Sequence, residues 1–154
     1  MTELIVGGHR VTLDPASMLG KGGEADVYRI APDVALKVFK DQHHPDIAGL
    51  PKGPERDQLA RLAREKIAEH QKKLPAFPKH VPEGIIAPVE LARDQKGLIR
   101  GYTMPIVQSA RELLMLHGDK NLRKTLNPEH PIALFRRLHE LVASAHKAGL
   151  IIGD

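Results

Sequence analysis

The chain has 154 residues, a net charge of +4, 42% hydrophobic residues, only 3% aromatics and no cysteine. That is enough for one aliphatic core, and it excludes disulfides and thiolate metal sites. No secretory h-region and no apolar run of about 18 residues is visible, so the expectation is a cytoplasmic protein with no membrane partner. The positive charge suits a phosphate ligand or solubility alone. The aromatic–basic interleaving of a single-strand platform is missing, so nucleic acid is not an expected partner.

The first elements in chain order are β-like. "ELIVGGHRVTL" (Glu3 to Leu13) has two short apolar runs around Gly7-Gly8, a hairpin signal. "SMLGKGGEADVYRI" (Ser17 to Ile30) reads as strand, glycine-rich turn, strand, and "VALKVFK" (Val34 to Lys40) as a β-branched strand. "DQHHPDIAGLPKGPE" has no period and reads as a loop. From Arg56 to Leu74 the pattern is helical, with Leu59, Ala63, Ile67, His70 and Leu74 near one face. "PAFPKHVPEG" breaks that helix, and "IIAPVELAR" and "LIRGYTMPIV" read as two strands joined by "DQKG". Helices follow: one opening on a Ser109–Glu112 capping box, and a stronger one from Pro131 to Ala148 with Leu134, Leu138, Leu141 and Ala145 in a stripe. Gly149 is its C-terminal cap, and "LII" leaves it as a buried extended segment.

Two stretches carry chemistry. Gly20, Lys21, Gly22 and Gly23 form a turn whose backbone N–H groups can approach phosphate oxygens without Cβ obstruction. Alone, it fits a tight hairpin equally well. Lys37 sits inside an apolar strand, where an ammonium needs an anionic partner or must snorkel from an edge. The histidines, His43 with His44 and His139 with His146, lack a specific zinc spacing and read as structural or surface residues.

Taken in order, these residues resemble the protein-kinase-like superfamily. "LGKGGEADVY" resembles its glycine-rich loop, with Ala25 in place of the third glycine, and "VALK" its third-strand Val-Ala-Ile-Lys motif. "GKGGEADVY" is also similar to the loop of the RIO branch. The resemblance implies an α+β fold: a kinase N-lobe, with an antiparallel five-stranded sheet and an αC helix, over residues 1–107, then the first C-lobe helices over 108–154. It implies that Lys37 pairs with a glutamate on the helix, Glu65 being favoured over Glu69. Val27 and Ala35 would roof the adenine. Met104 would be the gatekeeper, with the Pro105 carbonyl and Val107 N–H facing the base edge. "AHKAGLIIGD" resembles the segment leading into the catalytic loop: His146 and Gly149 match, and Asp154 falls on the catalytic aspartate.

The implied function is the ATP-binding portion of a serine/threonine-protein kinase, a transferase that moves the ATP γ-phosphate to a protein hydroxyl. The magnesium ligands of that family follow its catalytic aspartate, beyond Asp154, so these 154 residues alone are expected to be inactive. The Gly-Asp ending is also similar to RIO-type and small-molecule phosphotransferases, and a pseudokinase scaffold that binds nucleotide is the third alternative. The apolar stripe of the last helix predicts self-association from about Ser109 onward.

Overall fold

The computed structural model describes residues 3–108, 127 and 129–151. They fall into two compact units, Met1–Phe77 with Ile86–Ile106, and Pro78–Ile85 with the chain from Val107 onward.

The first unit is built on one sheet: β1 (Glu3–Val6), β2 (His9–Thr12), β3 (Met18–Lys21), β4 (Ala25–Ala31), β5 (Val34–Phe39), β6 (Leu91–Arg93) and β7 (Ile99–Pro105). Its order is β2-β1-β6-β7-β5-β4-β3, and every pairing is antiparallel. The α+β class matches expectation, but the sheet has seven strands, not five. The five from β3 to β7 are contiguous, and the β1–β2 hairpin extends them by pairing Ile5 with Arg93 and Val6 with Ala92. The hairpin covers an otherwise open edge. It turns on Gly7 and Gly8 at φ 54° and 84°, the left-handed conformation that two-residue hairpin loops require.

The sheet curls, so its two faces have different cores. Leu4, Val6, Leu13, Leu36 and Ala92 are buried together, with Val11, Tyr28, Ile30 and Val38 packed on them. Strands from both halves of the order, β1 and β2 on one side and β4 and β5 on the other, thus share one cluster. The other face buries Ala25, Phe39 and Ile99 under Ile67 of the long helix, with Leu74, Leu91 and Tyr102 alongside.

Between β5 and β6 the chain forms α1 (Pro45–Ala48) and α2 (Pro54–Lys73). The segment expected to be only loop thus holds a helical turn, nucleated by Pro45 at the first position and by His44, whose Nδ1 accepts from the Asp46 N–H. In α2, Pro54 and the acidic Glu55 and Asp57 open the helix, and His70, Lys72 and Lys73 close it, as the macrodipole favours. The face predicted for α2 is only partly buried: Ile67 packs inside, while Leu59 is exposed. Gln71 fixes the helix to β7, since its side-chain amide exchanges hydrogen bonds of 2.8 and 2.9 Å with the backbone of Ile99.

The strand expected over "IIAPVELAR" is short, only Leu91–Arg93, because Pro88 has no N–H to give to a ladder. Backbone bonds between Val89, Glu90 and Thr103 continue the pairing beyond it. The β6–β7 hairpin closes through Asp94, whose carboxylate accepts from Lys96 and Leu98 N–H, and through Gly97 at φ 82°.

In the second unit, α3 (Glu129–Lys147) follows Asn127, whose side chain accepts from the Glu129 N–H. It ends as expected at Gly149, φ 78°, with Leu150 N–H donating to the Ala145 carbonyl. Ala145 is fully buried and Leu141 packs near Gly84. Leu134 and Leu138 are exposed, as are Ile132 and Phe135. Of the "LII" segment expected to be buried, Leu150 is half-buried, Ile151 is 92% exposed, which corrects the expectation there, and Ile152 lies outside the described residues. The capping box at Ser109–Glu112 lies outside the described residues.

Gly101 marks the tightest approach in the sheet. A Cβ there would fall on the Lys37 carbonyl oxygen, with the Val38 Cα 3.2 Å away. Backbone cannot move aside as a side chain can. Gly101→Ala is expected to destabilise the first unit by about 1–3 kcal/mol, the usual range for overpacking, measured as a lower urea midpoint at unchanged slope.

Candidate functional site

Side chains directly opposite one another across a pairing point to the same face, and residues two apart along a strand do too. Val27 lies opposite Lys37, Lys37 opposite Tyr102, and Ala35 opposite Met104. Val27, Ala35, Lys37 and Met104 therefore share one face with Tyr102. It is the face that Phe39 shares with α2. Ala35 is buried and small, while Val27, Lys37 and Met104 are half-buried. Lys37 carries the positive charge there, its Nζ 5.9 Å from the centroid of the Tyr102 ring. That is the outer range of a cation–π contact. Tyr102 was not singled out from sequence, though its spacing of two before Met104 places it on this face.

The glycine turn joins β3 to β4 at the end of the sheet. Gly20 lies opposite Val27 and Lys21 opposite Asp26. The Gly22 N–H donates to the Ala25 carbonyl at 2.8 Å. A Cβ at Gly20 or Gly23 would meet nothing within 4 Å, so that side of the turn is open. Glu24 in the turn faces Lys66 of α2 at 3.4 Å.

Beneath the turn lies a charge cluster that the sequence reading passed over. Lys40 is 7% exposed. Its ammonium donates to the Gly22 carbonyl at 2.6 Å and to Asp46 at 2.5 Å, and stands 3.3 Å from the buried Asp26. Burial pushes the Lys40 pKa down, but the bonds to Asp46 and Asp26 outweigh it and hold it above the ordinary lysine value. The Lys40 bond holds Asp46 below the usual carboxylate range. His44 Nδ1 accepts from the Asp46 N–H, so Nε2 is the nitrogen left to donate to Asp26, at 3.1 Å. Nearby, burial raises the Asp41 carboxyl, but the bond from Arg100 prevails and lowers it.

Glu65 is not joined to Lys37. Its carboxylate lies 3.8 Å from Arg61, and Glu69 pairs with Lys73 at 2.5 Å. The helical advance of about 100° per residue puts both glutamates on the side away from Ile67, the residue that packs on the sheet. Pro105 lies opposite Val34 and is exposed. Val107 belongs to the second unit and is exposed. Asp154 lies outside the described residues. A cleft of about 500 Å³ lies elsewhere, against the start of α2, and none of the predicted site residues lines it.

Among the described residues, Asp26, His44 and Asp46 have ligand atoms close enough together to hold a metal. The cluster already contains a cation, the Lys40 ammonium, and His44 has its Nδ1 engaged as an acceptor. A divalent ion would have to displace a buried lysine, so the cluster fits an internal ion-pair network better than a magnesium site. Asp26 also points to the sheet face opposite Lys37, since it alternates with Val27.

Neither the family models, nor the curated proteins, nor the solved structures contain a match to this chain.

His70 of α2 stacks on Phe39 with centroids 3.9 Å apart. Burial holds its pKa below the ordinary histidine value; Glu69 and Glu24 pull it up by less, and Lys66 and Lys37 add to the lowering. A lowered folded pKa means that stability is intact above the unfolded value, near 6.5, and is lost as pH falls through the folded one. The unfolding free energy should therefore drop between about pH 7.5 and 5.5, and drop less in His70→Phe, where the ring stack is kept and the proton is not. Denaturant titrations of both proteins at each pH measure the difference.

Proposed function

We propose that this chain binds ATP on the Lys37 face of its sheet, as the nucleotide-binding part of a protein-kinase-like serine/threonine phosphotransferase. One observation carries the reading: Val27, Ala35, Lys37 and Met104, distant in sequence, come together on one face beside an open glycine turn. In this reading the small side chain of Ala35 leaves room for the base between Val27 and Met104, Lys37 holds the phosphates, and the turn's backbone N–H groups approach them. Asp154 would orient the acceptor hydroxyl of a protein substrate. ATP supplies the transferable phosphoryl group, and its magnesium would be held by residues other than Asp26, His44 and Asp46. RIO-type and small-molecule transfer share these residues and differ only in the acceptor.

One observation favours a second reading, a nucleotide-binding scaffold without transfer. Lys37 has no carboxylate within ion-pair distance among the described residues. In the first reading, nucleotide draws Glu65 or Glu69 inward, and in the second it does not.

The exposed apolar side chains Ile132, Leu134, Phe135 and Leu138 of α3 support a further proposal, self-association through the second unit. Light scattering across a concentration series tests it: a rising mass is expected, lowered by Phe135→Glu, and a constant monomer mass overturns it.

Titration calorimetry tests nucleotide binding. The wild-type chain should bind ATP, Lys37→Met should weaken it about tenfold, and Ala35→Phe should abolish it by filling the space for the base. No binding by the wild type at millimolar ATP would overturn the proposal.

A further inference from the structure

We propose that Lys40 is a positioning residue for the glycine turn: its buried ammonium holds the Gly22 carbonyl so that the turn's N–H groups are presented to phosphate. The proposal rests on the nucleotide reading and adds to it a second lysine that never touches the ligand.

A glycine-rich turn is entropically costly to hold in one shape. Here two grips come from the same residue. The Lys40 side chain donates to the Gly22 carbonyl at 2.6 Å, and the Lys40 backbone N–H donates to the Glu24 carbonyl at 2.9 Å. Lys40 thus holds the turn on either side of Gly23.

The side-chain grip also changes the hydrogen-bond pattern. A two-residue hairpin ordinarily closes with a reciprocal pair of bonds. In this turn one half is made, Gly22 N–H to the Ala25 carbonyl. The Gly22 carbonyl goes to Lys40, which leaves the Ala25 N–H outside that pairing. A trans peptide places the N–H opposite the preceding C=O. The carbonyls of Gly22 and Glu24 face Lys40, so the N–H groups of Gly23 and Ala25 face the other way. Ala25 is buried, so the Gly23 N–H, at an exposed position without side-chain cover, is the donor this arrangement offers an anion.

The ammonium makes two hydrogen bonds, to the Gly22 carbonyl at 2.6 Å and to Asp46 at 2.5 Å, and an ion pair with Asp26 Oδ1 at 3.3 Å, an oxygen that has no hydrogen-bond partner among the described residues. Asp46 also faces Lys21 of the turn at 3.8 Å, so α1 holds the turn through two lysines. His44 holds Asp26 from the far side at 3.1 Å.

Two variants test the proposal. Lys40→Met removes the grip outright. Asp46→Asn weakens the ammonium's anchor at a side chain that is 42% exposed, and it serves if Lys40→Met does not fold. Amide hydrogen exchange should accelerate at Gly22, whose N–H is bonded across the turn, while β5 and α2 keep wild-type protection. ATP affinity should fall about tenfold, whereas adenosine affinity should stay within about twofold, since adenosine has no phosphate for the turn to meet. Equal weakening of both ligands would mean general destabilisation and overturns the positioning role, as does unchanged exchange in the turn. Failure of the nucleotide reading looks different: the wild type then binds neither ligand, and the exchange data still decide whether Lys40 holds the turn.

Discussion

The register of β5 is the constraint on which the first unit depends. This strand is paired on both sides, with β4 and with β7, and its side chains alternate between two dissimilar surroundings. Ala35, Lys37 and Phe39 face α2 and the candidate site. Leu36 and Val38 face the cluster closed by the β1–β2 hairpin. A slip of one residue would put Leu36 where Lys37 stands and send the ammonium into the apolar cluster. Gly101 resists such a slip, because only a residue without Cβ lets β7 lie so close to the Lys37 carbonyl.

The same strand explains why two lysines three residues apart have different characters. Lys37 keeps the strand's alternation and emerges half-buried over Tyr102, with its charge available to a ligand. Lys40 follows the strand's end and turns to the opposite side, where two carboxylates and a carbonyl surround it. Among the described residues Lys37 makes no ion pair, so of these two lysines it is the one suited to direct contact with an anion. The helix that covers this face reinforces the distinction. Ile67 and Gln71 dock it on the sheet, and that docking turns Glu65 and Glu69 outward, so that neither pairs with Lys37.

Much of this was legible in the sequence because local chemistry decides it. Glycine pairs at positive φ mark the first hairpin, Asp94 and Gly97 the last, and Gly149 the end of α3. The shared face of Val27, Ala35, Lys37 and Met104 follows from period-two spacing once the strands are paired in order. What escaped depends on contacts between distant segments. The seventh strand position is set by β1 choosing the β6 edge, a choice no local pattern encodes. The Lys40 cluster joins residues 22, 26 and 40 to residues 44 and 46, and the last two lie in a stretch whose prolines and histidines look like plain loop. The outward turn of Glu65 was hidden for a related reason. The helical period identifies an apolar stripe, but Leu59 lies on that stripe and is exposed, so the period alone does not say which part of it docks.

The presence of Lys40 also needs a physical reason beyond stability. Burying an ion pair returns little net free energy, because the desolvation of both charges offsets their attraction, and an apolar replacement of similar volume is often as stable. A methionine at position 40 with apolar partners at 26 and 46 would fill the same space. It would not, however, supply a donor to the Gly22 carbonyl. The turn would then be held only by its backbone bonds, Gly22 N–H to the Ala25 carbonyl and the residue-40 N–H to the Glu24 carbonyl. The cluster therefore makes sense as a means of fixing a backbone turn that its own few hydrogen bonds would hold less firmly. This locates its value in the geometry of the turn and not in the stability of the sheet below it.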